Sequence, residues 1–247
     1  MSGAPLQWLV PDWTPHPRVR ACITTRHGDR SPAPWHGFNL GLNSGDDPQR
    51  VAANRAALAQ ALALPHPPHW LEQVHGVALA EAGSALQRAD GVWSGEAGRA
   101  CVVLTADCLP VLLARCDGRA VAAVHAGWKG LNAGILERAV QQLAPGGEPV
   151  SAWLGPAISQ PCYQVGDDLR EAFLNVDRAA ADAFAADAEP GRWRLDLFAL
   201  ARRRLLAAGV AEVSGGNWCT ATRRDLFYSY RFEGQTGRFA SLVWLQP

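Results

Sequence analysis

The sequence predicts an α/β layered fold built around a mixed sheet, and three observations lead to this prediction. Short apolar runs alternate along the chain with longer segments of helical periodicity. Several apolar runs follow one another directly, which is typical of adjacent strands. The chain has 247 residues, of which 48% are hydrophobic and 19% are charged, so it can bury a sizeable core. We find no internal repeat or low-complexity linker and expect residues 1–247 to form a single domain.

The first half of the chain contains one predicted helix and six predicted strands. The first strand covers residues 18–26, and a loop rich in proline and glycine follows it. A helix is predicted over residues 51–64, and Asp46-Asp47-Pro48 marks its start, because carboxylates and proline favour a helix N-terminus. Five apolar runs then predict strands at 69–74, 77–82, 101–106, 110–115 and 120–125.

The second half combines further helices and strands. Gly127 and Gly130 open a helix with its body at 131–144, which a Pro-Gly-Gly sequence ends. A strand at 149–155 follows it. The pattern over residues 176–192 is weak. The remaining predicted elements are helices at 167–174 and 195–209 and strands near 211–215 and 238–245.

Composition and charge exclude several functional classes. The chain has 23 basic and 23 acidic residues and a formal net charge of +0, so we expect neither a nucleic-acid nor a membrane partner. No apolar run approaches the roughly 20 residues of a membrane span. The first residues lack the basic and apolar regions of a signal peptide, and six dispersed cysteines indicate reduced thiols. We therefore expect a cytoplasmic protein, and the sequence indicates no partner protein.

Three separated residues are the main candidates for chemistry: His75 in LEQVHG, Cys108 in LTADCLP and His125 in AVHAGWKG. Each lies beside a turn signal at the end of an apolar run, where strand ends deliver side chains to a shared cleft. One thiolate and two imidazoles suit zinc, and a thiol beside imidazoles can also act as a nucleophile. No short motif joins the three residues, so the prediction is that the fold brings them together.

Two of these residues also have a purely structural interpretation. Cys108 is compatible with a small buried thiol, because free cysteine is among the most buried residue types. His75 is compatible with a solvated turn residue, since the adjacent Gly76 suggests a tight hairpin between two strands.

Cationic residues near predicted strand ends offer sites for an anion. The segment 127–130 fits an anion site at a helix start, to which Lys129 would add charge, but it also fits a simple turn. Arg26 and Arg238 could hold a phosphate or carboxylate by paired hydrogen bonds, or form ordinary ion pairs.

The chain resembles a known family in six segments: LEQVHG, ADGVWS, TADCLPVLLA, VHAGWKGL, GPAISQPCYQVG and DLFYSYR…TGRFASLVWL. It is similar to the laccase-domain (multicopper polyphenol oxidase) family, whose members are now described as purine nucleoside phosphorylases. The resemblance covers nearly the whole chain. It implies an α/β/β/α layered arrangement with mixed sheets, similar to cysteine-hydrolase-like folds. It also places the family's zinc-binding and catalytic residues on His75, Cys108 and His125.

The resemblance implies several activities. Members are described as phosphorolysing adenosine, inosine and methylthioadenosine to a free base and a pentose 1-phosphate, and as deaminating adenosine. Some bacterial relatives are described as hydrolysing an amide in peptidoglycan precursors, which is the alternative enzymatic interpretation. A zinc-stabilised binding protein without activity is a third interpretation. Zinc is the expected cofactor; a laccase-type copper array is less consistent with seven histidines and a single methionine.

Four further residues are predicted to contact the small-molecule substrates, a nucleoside and phosphate. Residue type and loop position make Arg26 and Lys129 the candidates for phosphate contacts. The same reasoning makes Asn39 and Gln73 the candidates for polar contacts with the nucleoside.

Overall fold

Two β-sheets stack face to face, and a third small sheet lies beside them. The computed structural model describes residues 5–28 and 30–247; the first four residues of the segment considered above for a signal peptide lie outside this range. The largest sheet has six strands in the order β12-β8-β6-β7-β4-β3. These strands are β3 (Leu79–Glu81), β4 (Gly91–Ser94), β6 (Leu109–Arg115), β7 (Val121–Ala126), β8 (Val150–Leu154) and β12 (Glu212–Gly215). The sheet is mixed, because β12/β8 and β3/β4 are parallel pairs and the others are antiparallel.

The second large sheet is antiparallel throughout, in the order β1-β2-β13-β5. Its strands are β1 (Trp8–Leu9), β2 (Val19–Thr24), β5 (Cys101–Thr105) and β13 (Phe239–Leu245). The small sheet has the order β10-β11-β9 and consists of β9 (Gln164–Gly166), β10 (Phe184–Ala186) and β11 (Arg192–Leu195).

Helices cover the outer faces of the two stacked sheets. They are α1 (Pro48–Ala61), α2 (Trp128–Asn132), α3 (Ile135–Leu143), α4 (Asp167–Leu174) and α5 (Leu197–Ala207). A further short helix, α6 (Tyr230–Glu233), carries the exposed rings of Tyr230 and Phe232. Short 3₁₀ segments occupy Leu42–Ser44, Gln160–Cys162 and Arg178–Ala183. Within the described residues, no helix combines the length and the apolar character needed to cross a membrane.

Three apolar clusters define the layer order. The central cluster joins the two stacked sheets, with Ile23 and Val103 from one sheet against Val121 from the other. A second cluster packs α3, α4 and α5 on the far face of the six-stranded sheet. In the third cluster, Leu58 of α1 covers the far face of the four-stranded sheet. The layers therefore run α/β/β/α, which confirms the predicted fold class.

Most predicted elements are present with boundaries shifted by a few residues. Helix α1 begins at Pro48 as expected, because the Asp47 side chain accepts a hydrogen bond from the backbone N–H of Gln49. The predicted helix over 131–144 is wrong in one respect. Gly134 adopts a left-handed conformation (φ 93°) and divides the segment into α2 and α3.

Two other predictions need correction. The weak segment 176–192 contains a 3₁₀ turn and the strand β10, which has only three residues and is too short to give a clear period. Residues 69–74 form no strand, so the turn at His75 does not connect a hairpin. Instead, the Gln73 side chain donates to Leu104 O and accepts from Leu104 N, both at 2.8 Å. These two bonds replace the backbone hydrogen bonds that a neighbouring strand would make with β5.

Gln73 should consequently contribute to stability. Replacing Gln73 by Ala leaves the backbone N–H and C=O of Leu104 without these partners, which costs about 1–3 kcal/mol of unfolding free energy. Urea denaturation measures this difference. The matched control is Gln141→Ala, an exposed glutamine on α3, which should change the free energy of unfolding by less than about 0.5 kcal/mol. Equal unfolding midpoints for the two variants would contradict this role for Gln73.

Candidate metal centre

Cys108 lies where the chain passes from one stacked sheet to the other. Strand β5 belongs to the four-stranded sheet and β6 to the six-stranded sheet, so residues 106–108 form the crossover. Asp107 makes the bend with a positive φ of 90°, which is uncommon for a non-glycine residue. Its carboxylate accepts hydrogen bonds from the Thr220 hydroxyl (2.6 Å) and the Arg231 backbone N–H (2.7 Å). The bend is thereby fixed, and Cys108 is presented at the end of both sheets.

His125 reaches the same end of the six-stranded sheet from β7. In the antiparallel register it lies opposite Pro110 of β6, so it is two residues from Cys108 across the ladder. Its Nδ1 donates to Asp90 Oδ1 at 2.8 Å, and Asp90 directly precedes the neighbouring strand β4. This bond fixes the ring orientation and leaves Nε2 free to act as a ligand.

His75 lies on a turn that the same carboxylate holds. Its φ is 60°, and such left-handed conformations in non-glycine residues cost about 1–3 kcal/mol. Asp90 accepts hydrogen bonds from the backbone N–H groups of Val74 (3.2 Å), His75 (2.8 Å) and Gly76 (2.6 Å). One buried carboxylate therefore fixes the backbone of one histidine and the ring of the other.

The three candidate ligands converge. One ligand atom each from His75, Cys108 and His125 lies within 4.8 Å of the others. Cys108 Sγ is 3.8 Å from His75 Nε2, and the two imidazole rings meet edge to face with centroids 4.7 Å apart. A tetrahedral zinc with bonds of about 2.0–2.3 Å separates its ligand atoms by roughly 3.3–3.8 Å, so the cluster needs only a small contraction.

Gly127 shows how closely the three side chains approach the backbone. A Cβ on this glycine would lie 2.9 Å from His75 Cδ2, 3.2 Å from Cys108 Sγ and 3.5 Å from His125 Cε1. Glycine is the residue that leaves room for all three at once. The donor set and this cradle both fit a metal ion.

The electrostatics of the cluster favour a charged Cys108–His125 pair. Burial opposes the thiolate, but the charge and hydrogen bonds of His125 and then His75 outweigh it and lower the pKa of the Cys108 thiol. Burial likewise opposes the imidazolium, but the Cys108 thiolate and Asp90 raise the pKa of His125. A thiolate is the form of cysteine that binds metals and acts as a nucleophile.

The cluster forms part of the wall of a cavity of about 1050 Å³. Two arginines, Arg55 and Arg238, and the partly exposed rings of Trp70 and Tyr230 line it, and Glu72 contributes a carboxylate. Burial lowers the pKa of Arg238, and the charges of Cys108 and Asp107 act in the opposite direction. Arg238 therefore brings a positive charge close to the candidate ligands.

The structure brings one of the four predicted substrate contacts into the cavity wall. Gln73 lines the cavity, although Leu104 occupies both of its amide atoms. Asn39 is fully buried, and its Oδ1 accepts from the backbone N–H of Arg238 (2.9 Å), so it positions that cationic residue. Arg26 and Lys129 are absent from the described lining.

Arg26 and Lys129 have other surroundings. The Arg26 guanidinium pairs with Glu233 of α6 at 2.8 Å. Lys129 is exposed, and its Nζ lies 5.6 Å from the centroid of the Trp128 ring. Lys129 belongs to helix α2, which has only five residues.

Asp90 is a site residue that the sequence patterns do not single out. It occurs in the segment ADGVWS, where a carboxylate at the entrance to a buried strand is the available signal. The sequence gives no indication of which backbone amides this carboxylate binds, since they lie on a separate turn.

Asp90 should determine metal affinity. An amide oxygen is a weaker acceptor than a carboxylate, so Asp90→Asn should weaken zinc binding by about 10–100-fold. Competition against a fluorescent chelator measures the affinity, and circular dichroism checks that the variant is folded. The control is Asp117→Asn, which removes a carboxylate paired with Arg115 far from the cluster. A folded Asp90 variant with unchanged zinc affinity would show that this carboxylate does not orient the ligands.

The lowered pKa of Cys108 has a separate consequence for thiol reactivity. In chelator-treated protein at about pH 7, iodoacetamide should alkylate Cys108 at least about tenfold faster than Cys116, because only thiolates react. Both residues are partly exposed, but burial and the nearby Glu212 raise the pKa of Cys116. Peptide mass spectrometry over time gives both rates. Equal rates, or a Cys108 rate that keeps rising steeply between pH 8 and 10, would contradict the assignment of a thiolate.

Comparisons with known proteins identify the family and the fold. Residues 20–246 match the family described as multi-copper polyphenol oxidoreductase laccase. A purine nucleoside phosphorylase of Pseudomonas aeruginosa is 50% identical over 240 residues, which cover 97% of this chain and 98% of that protein. The purine nucleoside phosphorylase YfiH of Escherichia coli is 45% identical, with 96% and 98% covered.

Solved structures show the same architecture. A Neisseria meningitidis protein superposes with a TM-score of 0.92 at 41% identity and covers 97% of this chain and 99% of its own. The YfiH protein of Bacillus licheniformis gives a TM-score of 0.89 at 29% identity, with 98% and 100% covered. The chain therefore belongs to the multi-copper polyphenol oxidoreductase laccase family.

Proposed function

We propose that the protein is a zinc-dependent purine nucleoside phosphorylase that also deaminates adenosine. Its substrates would be adenosine, inosine and methylthioadenosine, which it would convert with phosphate to a free base and a pentose 1-phosphate. The observation that carries the proposal is the His75–Cys108–His125 cluster in the wall of a cavity large enough for a nucleoside. Relatives that are 45–50% identical over nearly their full length are named purine nucleoside phosphorylases.

The donor set supports zinc as the metal. One thiolate and two imidazoles, with a carboxylate behind one imidazole, are typical of zinc sites that keep an open position. The same set occurs in blue-copper centres, but these usually add an axial methionine, and Met1 is the only methionine in the sequence. A trinuclear copper cluster needs many more histidines, whereas the described residues contain one candidate group of three ligands. Copper-dependent phenol oxidation is therefore not the proposed activity.

Each residue of the cluster has a defined task in this proposal. Zinc bound here would supply a positive charge that polarises an oxygen of the substrate or of water. His125 would hold the ion through Nε2, because its Nδ1 is bound to Asp90. The Cys108 thiolate would compensate the positive charge of the ion, and His75 would be the third ligand. Three protein ligands leave the cavity side accessible, which favours catalysis over a closed structural site.

The cavity geometry points to Arg238 as the phosphate contact. Phosphorolysis requires orthophosphate to be held in line with the anomeric carbon of the nucleoside, so positioning and charge stabilisation are the main tasks. Arg238 lines the cavity close to the Cys108 charge, and among the described residues it makes no ion pair. Asn39 would support it through the backbone, and Arg26 would hold α6, which carries Tyr230, in place. Gln73 would form part of the cavity wall.

The proposal treats residues 1–247 as one domain and places the protein in the cytoplasm. All six cysteines are unpaired in the described structure, which supports a reducing compartment.

Product analysis tests the proposed reaction directly. With phosphate, the zinc-loaded protein should convert adenosine or inosine to free base and ribose 1-phosphate. Without phosphate, that product should disappear while deamination of adenosine continues, because water is the nucleophile there. Cys108→Ala should lower both activities by at least about a hundredfold, since it removes a ligand and its charge. Arg238→Gln should raise the KM for phosphate more than it affects deamination.

Two controls and one rival outcome complete the test. Cys116→Ala and Arg119→Gln alter a thiol and an arginine that lie outside the cavity lining and should leave turnover unchanged. Mass spectrometry identifies the products on nucleosides and on muramyl precursors alike. Amide hydrolysis of the precursor with no phosphate dependence and negligible nucleoside turnover would contradict the proposal, as would nucleoside turnover that survives Cys108→Ala.

A further inference from the structure

The cavity has a second cationic feature, which the proposed reaction does not use. Arg55 of α1 donates its Nε to Leu40 O at 2.9 Å, and its guanidinium lies over the Trp70 ring, 4.1 Å from the centroid. Both side chains line the cavity and are half-buried. Among the described residues, Arg55 makes no ion pair and its two terminal nitrogens have no hydrogen-bond partner. They are available to a ligand in the cavity.

The charge of Arg55 is not compensated within the described structure. Burial lowers its pKa to about 10, so the guanidinium still carries its charge at neutral pH. Desolvating a cation without an opposite charge is unfavourable, and a bound anion relieves that cost. The lining has two arginines and one carboxylate, Glu72, so its balance is positive.

Arg55 is distinct from the phosphate contact proposed above. The two residues bind different atoms of Leu40, since Leu40 O accepts from the Arg55 side chain while Leu40 N donates to the main-chain oxygen of Arg238 at 3.1 Å. The Cys108 charge acts on the pKa of Arg238, whereas burial alone lowers that of Arg55. The two guanidinium groups also lie over different rings, Arg55 over Trp70 and Arg238 over Tyr230.

Gly41 leaves room for one of the two arginines, Arg238. A Cβ at this position would lie 2.6 Å from Arg238 Cγ, so glycine is the residue that lets the Arg238 stem pass close to the backbone. The wall thus presents two guanidinium groups, those of Arg55 and Arg238. The volume of about 1050 Å³ lies at the top of the range of about 300–1,000 Å³ for small-molecule sites.

We propose that Arg55 and Trp70 form a second anion subsite, which binds a phosphoryl group carried by the substrate itself. The preferred ligands would then be phosphate esters of purine nucleosides rather than neutral nucleosides. A guanidinium offers two parallel N–H donors to phosphate oxygens, and stacking on the indole fixes its plane. This proposal rests on the proposed function for the nucleoside chemistry at the metal centre. It adds that the substrate itself carries a phosphoryl group.

Calorimetric binding to the zinc-loaded protein in phosphate-free buffer tests the subsite. The ligands are adenosine, AMP and ADP, and mass spectrometry checks that they remain intact. AMP or ADP should bind at least about tenfold more tightly than adenosine. Arg55→Gln should reduce that preference to within about twofold and leave adenosine affinity unchanged, because it removes only the charged guanidinium group and its paired N–H donors.

Further variants separate the roles of charge, paired donors and stacking in this subsite. Arg55→Lys keeps the charge but loses the paired donors, so it should retain part of the preference. Trp70→Leu should also weaken AMP or ADP more than adenosine if Arg55→Gln does not fold. Arg119→Gln, an arginine whose side chain is 79% exposed on another face, should change nothing.

Three results would overturn the subsite. These are equal affinities for adenosine and both phosphates, a preference that survives Arg55→Gln, and a preference that Arg238→Gln abolishes while Arg55→Gln leaves it intact. A preference that depends on Arg55 in a protein that releases no base from nucleosides would support the subsite and contradict the proposed function, so the two failures are distinguishable.

Discussion

The Asp90 carboxylate is the constraint on which the rest of the site depends. It is fully buried and accepts hydrogen bonds from three consecutive backbone amides, at Val74, His75 and Gly76, and from the ring of His125. Burial opposes its ionisation, but the hydrogen bond from His125 and those from the turn lower its pKa. Hydrogen bonds to a buried charge are stronger than those between neutral groups, at about 1.5–3 kcal/mol each. They stabilise the left-handed backbone conformation of His75, which is otherwise unfavourable for a residue other than glycine.

The stacking of the two sheets supplies the third ligand. Because β5 and β6 belong to different sheets, the chain must bend at the crossover, and the bend delivers Cys108 to the end where β7 delivers His125. Asp107 makes this bend and is held by Thr220 and Arg231 from the C-terminal third of the chain. Each candidate ligand is therefore positioned by a buried carboxylate, Asp107 for Cys108 and Asp90 for both histidines.

Sequence patterns predict the elements better than the connections between them. The apolar runs that form β6, β7, β8 and β13 are recognisable because their residues are buried on both faces, and two of the candidate ligands, Cys108 and His125, lie at the ends of β6 and β7. The strand predicted over 69–74 is wrong, since a side chain of Gln73 replaces the ladder there. Asp90 and Arg55 could not be predicted as site residues, because their partners lie 14 or more residues away along the chain. Such pairings form only once the sheets are stacked.

The most direct test of the zinc centre is X-ray absorption at the metal edge of the purified protein. We expect zinc with one sulfur at about 2.3 Å and two nitrogens at about 2.0–2.1 Å, plus a light-atom ligand from the cavity side. In Cys108→Ala the sulfur contribution should vanish while that of the nitrogens remains. A shell without sulfur in the unmodified protein, or a stoichiometric array of several coppers, would contradict the claim that His75, Cys108 and His125 form a zinc centre.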